Sequence, residues 1–283
     1  MNRRFAFALL AFVIYAVPCA AYPVTIKDAR GKSIVIKSAP RRIVSLTPNN
    51  TEILFALGLG DRVVGVNSWS NYPPAALKKP KIGDRIVSVE KVVSLKPDLI
   101  VAHSVLNDSY IKQLETLHKT VIAIDPKTYG QVMSDITMLG RATGQTRQAA
   151  TIAKRMRATV DKVRKRTAGR RGPNVLVEIQ PNPLWVAGRG TLVDEMLGYC
   201  HARNVAYDAK PGFNEYPVEL AISHNPDVII AGKKEGKFFL TSPVWVGVNA
   251  VRNKRVYEMD FDLLVRPGPR LADGLLKLSE ILK

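Results

Sequence analysis

The sequence predicts an α/β protein of two Rossmann-like lobes joined by one long backbone helix, and three observations carry that prediction. A 13-residue pattern, E-x-x-x-S-x-x-P-D-[LV]-I-[VI]-A, occurs twice, from Glu90 to Ala102 and from Glu219 to Ala231. Strand-like apolar runs alternate with helical segments around both copies. Between them lies an amphipathic stretch from Gln145 to Thr167 with no glycine or proline. A repeat offset of 129 residues is far too long for a solenoid period and fits two copies of one α/β domain.

The chain opens with Arg3 and Arg4, an apolar core from Phe5 to Val17, and Pro18-Cys19-Ala20-Ala21. This is the layout of a secretory signal peptide with cleavage expected after Ala21, and the apolar core is too short to span a bilayer comfortably. A lipid anchor on Cys19 would need a small residue before it, which Pro18 is not. The mature chain is therefore expected to be a soluble periplasmic protein.

Residues 22–40 suit a small hairpin around Asp28-Ala29-Arg30-Gly31. Strand-like runs at 42–46, 63–67, 99–103 and 121–125 then alternate with helical segments at 50–59, 89–95 and 109–118. Pro48-Asn49-Asn50-Thr51-Glu52 signals a helix start, with Asn49 or Asn50 as the capping side chain. In each copy of the repeat a proline stops a short helix and Asp98 or Asp227 suits the turn. The apolar run that follows lacks the alternation of a half-solvated strand, so it is expected to be covered on both faces of a parallel sheet.

Within the central stretch, Ala149, Ile152, Ala153, Met156, Val160 and Val163 recur at helical spacing opposite a face of lysines and arginines. It reads as a rigid connector ended by Gly169 and Gly172-Pro173. The second lobe follows with strands at 174–179, 228–231 and 256–259 and helices at 191–200, 217–223 and 271–283. The predicted organisation is a signal peptide over 1–21, an N-terminal lobe over 22–144, a connecting helix over 145–168 and a C-terminal lobe over 169–283. Two such lobes on one stiff link enclose a cleft walled by the carboxyl ends of parallel strands, where ligands of open α/β sheets bind.

Composition narrows the function. The chain has 283 residues and a formal charge of +18, which loss of Arg3 and Arg4 reduces to +16. Cys200 is then the one remaining cysteine, so stability has to come from packing rather than an internal disulfide. The basic residues are spread along the chain, densest from Lys162 to Arg171 on one helix and the turn after it. No nucleic-acid motif accompanies them, and a solvated face without a nucleic-acid partner is the reading.

Catalytic signals are weak. Gly188-Arg189-Gly190 begins like a dinucleotide fingerprint but lacks the third glycine, and no phosphate-loop, nucleophile-elbow or zinc-protease motif occurs. The histidines His103, His118, His201 and His224 are dispersed in sequence. Binding signals are better. Aromatic residues sit beside polar ones in segments read as loops after strands: Trp69 to Pro74, Leu184 to Gly188, Phe213 to Tyr216, and Asp260-Phe261-Asp262 with Arg266. Aromatics outside the apolar periods of helices and strands cost solvation unless something covers them, and a large, flat, partly polar ligand between the lobes would do so.

The segments Pro40 to Glu52, Tyr72-Pro73-Pro74 and Leu95 to Ile100 resemble those of the periplasmic substrate-binding proteins of metal-chelate ABC importers. The resemblance covers nearly all of the mature chain. It implies the class III periplasmic binding protein fold, with two α/β lobes on a single backbone helix that flexes little on binding. It also implies a monomer without enzymatic activity or cofactor, working with an importer permease dimer and its ATPase. The likeness is greatest to cobalamin-binding members, which implies a corrinoid as cargo, with haem or an iron-siderophore as the alternative. From another class, an exported enzyme with a Rossmann-like lobe is disfavoured by the incomplete glycine fingerprint.

By that resemblance Trp69 matches the aromatic preceding S-x-Y-P-P, with Tyr72 inside the motif, and Trp185 and Phe213 match aromatics of the second lobe. Asp262 and Arg266 match a polar pair at the cleft, while Glu90 and Glu219 match acidic knobs that dock onto arginines of the transporter. Were the ligand haem, Tyr72 or His103 would supply the axial or contact group. Two departures stand out: Gly83-Asp84-Arg85 replaces a tryptophan of the cobalamin binders, and Ser279 stands where Cys200 would find a disulfide partner.

Overall fold

The computed structural model describes residues 22–283, so the signal peptide and its cleavage site lie outside the described residues. Strands β1 (Val24–Lys27) and β2 (Ser33–Ile36) pair antiparallel around the expected turn, with Gly31 at φ 77°. The first lobe then alternates β3 (Ile43–Ser45), α1 (Pro48–Ala56), β4 (Val63–Val66), α2 (Val89–Ser94), β5 (Leu99–His103), α3 (Asp108–Thr116), β6 (Val121–Ile124) and α4 (Tyr129–Thr143). Its sheet has the order β4-β3-β5-β6 and is parallel throughout. Leu99, Ile100, Val101 and Ala102 are all buried, as the unalternating run requires of a strand covered on both faces.

The connector is α5 (Thr146–Thr167), 22 residues or about 33 Å at 1.5 Å per residue. The second lobe holds β7 (Asn174–Pro181), β8 (Leu184–Ala187), α6 (Leu192–Tyr199), β9 (Arg203–Asn204), β10 (Phe213–Glu215), α7 (Val218–Ser223), β11 (Val228–Gly232), α8 (Gly236–Thr241), α9 (Asn249–Arg252), β12 (Val256–Met259), α10 (Asp262–Val265) and α11 (Leu271–Ile281). Its sheet runs β10-β8-β7-β11-β12, with β9 also beside β7. Here β7, β9, β11 and β12 are parallel, while β8 and β10 run antiparallel.

The repeated pattern becomes the same structure twice. Helices α2 and α7 each carry their glutamate in the first turn, and Ser94 and Ser223 donate back to the carbonyls of Lys91 and Leu220. Lys96 and Asn225 take positive φ, 48° and 44°, before the proline. Asp98 then accepts the backbone N–H groups of Arg41 and Arg42, and Asp227 that of Asn174. In each lobe this carboxylate clamps the start of the neighbouring strand, β3 or β7.

One hydrophobic cluster runs from Ile26 and Ile34 through Val132 and Leu139 of α4 and Met156 and Val163 of α5 to Val175, Met196 and Leu275 of the second lobe. At the α4–α5 crossing Gly140 has no room for a side chain, since an added Cβ would lie 2.3 Å from the Ala149 methyl. A connector packed into both lobes in this way resists hinge motion more than a solvated strand linker would.

Three expectations are corrected, the first being that Asp262, read as part of a loop, opens the helix α10. Neither Asn49 nor Asn50 caps α1: the N-cap position is Thr47, and no side chain caps there. Pro48 has the φ of a first helical residue, which draws both asparagines into the helix, where Asn49 donates to Asn50. The segments holding Trp185 and Phe213 are strands rather than loops, because β8 turns back on β7 and recruits β10 as its outer neighbour.

Candidate interlobe binding site

The carboxyl ends of the two sheets meet through a cluster of charges. Glu52 of α1 is 3% exposed. It accepts hydrogen bonds from Arg266 Nη1 at 2.7 Å and from Arg270 Nε and Nη2 at 2.9 and 2.6 Å. Arg266 also donates to Asn71 Oδ1 at 2.8 Å and pairs with Asp262 at 2.8 Å, one helical turn away. The guanidinium of Arg270 lies 3.9 Å from the centroid of the Tyr72 ring. Burial alone would lower the pKa of Arg270, and the hydrogen bonds and charge of Glu52 more than offset it. A cavity of about 250 Å³, lined by Glu52, Phe55, Tyr72, Arg155, Arg270 and Asp273, opens beside the cluster. A second bridge joins the lobes where Glu195 of α6 accepts from the backbone N–H of Tyr129 at the start of α4.

Both lobes present aromatic surface. Trp69, Trp185 and Phe213 are 52%, 37% and 45% exposed, far more than rings packed into a core. The β8–β10 register pairs Phe213 with Ala187 and Glu215 with Trp185, which places both rings on one face of the ribbon as diagonal neighbours. On the first lobe Asn67, itself 3% exposed, accepts from the N–H of Trp69 at 2.9 Å and donates to the carbonyl of Asp84 at 2.7 Å. That amide fixes the Trp69 loop against the loop carrying Arg85, whose guanidinium carbon lies 5.7 Å from the Trp69 ring centroid.

His103 ends β5 among partners of its own. Its Nδ1 accepts from the N–H groups of Val105 and Leu106, and its Nε2 faces Asp125 at 3.3 Å. Burial lowers its pKa, opposed by the Asp125 charge. The tautomer that satisfies both sides carries the proton on Nε2. Among the described residues no group of histidine, cysteine or carboxylate side chains is arranged to hold a metal ion.

The sequence-derived residues thus divide. Trp69, Trp185 and Phe213 stand exposed, whereas the polar atoms of Asp262 and Arg266 and the face of Tyr72 are engaged in the interlobe cluster. Glu90 and Glu219 lie exposed, one per lobe. The Glu90 carboxyl is held below its usual range by its own backbone N–H and the Ser88 hydroxyl. Sequence reasoning did not single out Glu52 or Arg270 for the site, and it marked Arg85 only within the Gly83-Asp84-Arg85 segment that replaces a tryptophan of the cobalamin binders. Pro267-Gly268-Pro269 between Arg266 and Arg270 breaks any helical spacing, so the sequence held no local signal for Arg270.

With the geometry in place, comparison with known proteins decides the family: the periplasmic binding proteins match over residues 43–263. The chain belongs to this family. It is 39% identical over 270 residues to an uncharacterized ABC transporter substrate-binding lipoprotein of Bacillus subtilis, covering 92% of this chain and 85% of that one. The solved structure of the periplasmic vitamin B12 binding protein of Vibrio cholerae superposes with a TM-score of 0.77 at 26% identity, covering 86% of this chain and 96% of that one. The periplasmic haem-binding protein of Roseiflexus sp. RS-1 gives 0.76 at 28%, covering 86% and 98%. The relatives are substrate-binding proteins of ABC transporters, which work with permease and ATPase components, and this chain is a binding protein rather than an enzyme. Its ligand is a transported small molecule, not a cofactor. No helix among the described residues is long and apolar enough to cross a membrane.

Proposed function

We propose that the protein captures a corrinoid, cobalamin or a close variant, between its lobes and delivers it to an inner-membrane ABC importer. The observation that carries this reading is the exposure of aromatic rings on both lobes, Trp69 on one and Trp185 with Phe213 on the other. Rings presented this way suit a broad, flat, partly apolar molecule, and the similarity to a vitamin B12 binding protein supports the choice. On this reading the protein acts as a periplasmic monomer, and Trp69, Trp185 and Phe213 contact the ligand. Asp262, Arg266 and Tyr72 border it while holding the lobes together.

Haem is the second reading, favoured by the similarity to a haem-binding protein. It would need an iron ligand from Tyr72, whose ring lies under Arg270, or from His103, whose ring nitrogens both have partners. Glu90 and Glu219, exposed at equivalent places on the two lobes, serve in this proposal as the docking pair for a two-fold permease. Isothermal titration with cyanocobalamin and haemin tests the ligand. Saturable binding of cyanocobalamin at one per chain is expected, and saturable haemin binding without any corrinoid response would overturn the assignment.

A further inference from the structure

Arg85 is a cation that its surroundings leave without an anion. Arg266 and Arg270 are paired with Glu52 and Asp262, Lys127 with Asp125, and Lys233 with Asp260. Arg85 has no carboxylate within 4.0 Å among the described residues, although its neighbour in sequence is one. The Asp84 carboxylate is turned to the N–H of Ile86, capping its own loop.

The loop is built, not loose. Gly83 sits at φ 115°, where an added Cβ would fall 2.0 Å from the Ile86 carbonyl, so the turn tolerates only glycine. Gly83 bridges Val87 across the turn, and its carbonyl accepts from the Ser68 N–H at 2.7 Å. Lys81 bridges Val66 of β4, so the segment extends the sheet edge. With the Asn67 amide tying in the Asp84 carbonyl, four contacts hold Arg85 over the half-exposed ring of Trp69. A guanidinium within about 6 Å of an indole centroid is held by the ring quadrupole, and its donors remain free for a planar acceptor.

The geometry points to Arg85 as the specificity-determining residue of the cleft: Trp69 takes the flat body of the ligand and Arg85 takes a carboxylate on its periphery. The inference rests on the proposed capture of a planar chelate and deepens it: among corrinoids and other flat chelates that the cleft admits, those that keep a peripheral carboxylate bind best. A neutral side arm beside Trp69 offers the guanidinium only an amide acceptor for the water it displaces, whereas a carboxylate forms a stronger, charge-assisted pair in the same place. The exposed side chain of Ile86 adds apolar surface next to the charge.

The test compares neutral and carboxylated forms of one flat frame: dicyanocobinamide with dicyanocobyrinic acid, and haemin dimethyl ester with haemin, each titrated calorimetrically into the full-length mature protein and Arg85→Gln. In whichever frame binds, the carboxylated form is expected to bind about tenfold tighter to the native protein, the size of a well-formed charged hydrogen bond. That ratio should fall to near one in Arg85→Gln, and added salt should erode it in the native protein alone. Equal affinity of both forms for the native protein, or an equal loss for both in the variant, would overturn the role of Arg85 while leaving chelate capture standing. Failure of every frame to bind would overturn the proposed function and this inference with it.

Discussion

Replacing Glu178 with glutamine should stabilise the protein, and by an amount that grows with pH. Glu178 lies on β7 with 0% exposure. Its Oε2 accepts from the Gly232 N–H at 3.0 Å and its Oε1 has no hydrogen-bond partner. Burial, partly offset by the Gly232 hydrogen bond, pushes its pKa from 4.5 up to about 7. A carboxyl whose folded pKa is raised binds its proton more tightly in the native state. Its full contribution is therefore present below pH 4.5 and is lost as pH rises through about 7. At about 1.4 kcal/mol per pKa unit the loss amounts to roughly 3 kcal/mol. Glutamine keeps an acceptor for Gly232 and cannot ionise. Urea unfolding at pH 4 and pH 8 reads the difference: near-equal stability of variant and native protein at pH 4, and a gain of about 3 kcal/mol for the variant at pH 8. Asp135, raised to about 7 by burial and the nearby Asp125 charge, adds a similar slope to both proteins, so it cancels in the comparison. A stability difference that does not change between the two pH values would refute the claim that Glu178 is buried as a neutral acid.

Other perturbations test the joint, the rings and the docking pair. Glu52→Gln takes from Arg266 and Arg270 the buried carboxylate they share, leaving Asp262 alone to face both, and should cost about 3 kcal/mol, measured by denaturant midpoint; a cost under 1 kcal/mol would mean the cluster is solvated. Trp185→Ala and Phe213→Ala should each weaken ligand binding by about 1 to 3 kcal/mol in titration calorimetry, whereas unchanged affinity in both would remove the ribbon from the site. The double variant Glu90→Ala with Glu219→Ala should retain ligand affinity and lose stimulation of the importer ATPase in proteoliposomes, and full stimulation would refute docking.

The repeat, the central helix and the strand order of burial could be read from the chain because each depends on local information. Proline ends a helix wherever it falls, and an apolar run without alternation can be covered only on both sides. The exposure of Trp69, Trp185 and Phe213 was likewise legible, since nothing in their own segments explained the rings. The strand character of the Trp185 and Phe213 segments was not, because three- and four-residue strands owe their conformation to pairing with each other and with β7.

What the sequence determined by itself is the architecture of paired lobes on a stiff helix and the position of one glutamate on each. Only the tertiary structure decided which charges are free. Glu52 is separated from Arg266 by more than two hundred residues, and no local pattern announces that the two meet between the lobes. Pro267-Gly268-Pro269 separates Arg266 from Arg270, so no helical face in the sequence joins the two arginines that meet on Glu52. Arg85 lies beside Asp84 yet remains unpaired because Asp84 is consumed by its own turn. Pairing of charges is a property of distance in space, and chain closure brings remote partners within reach while turning adjacent ones apart.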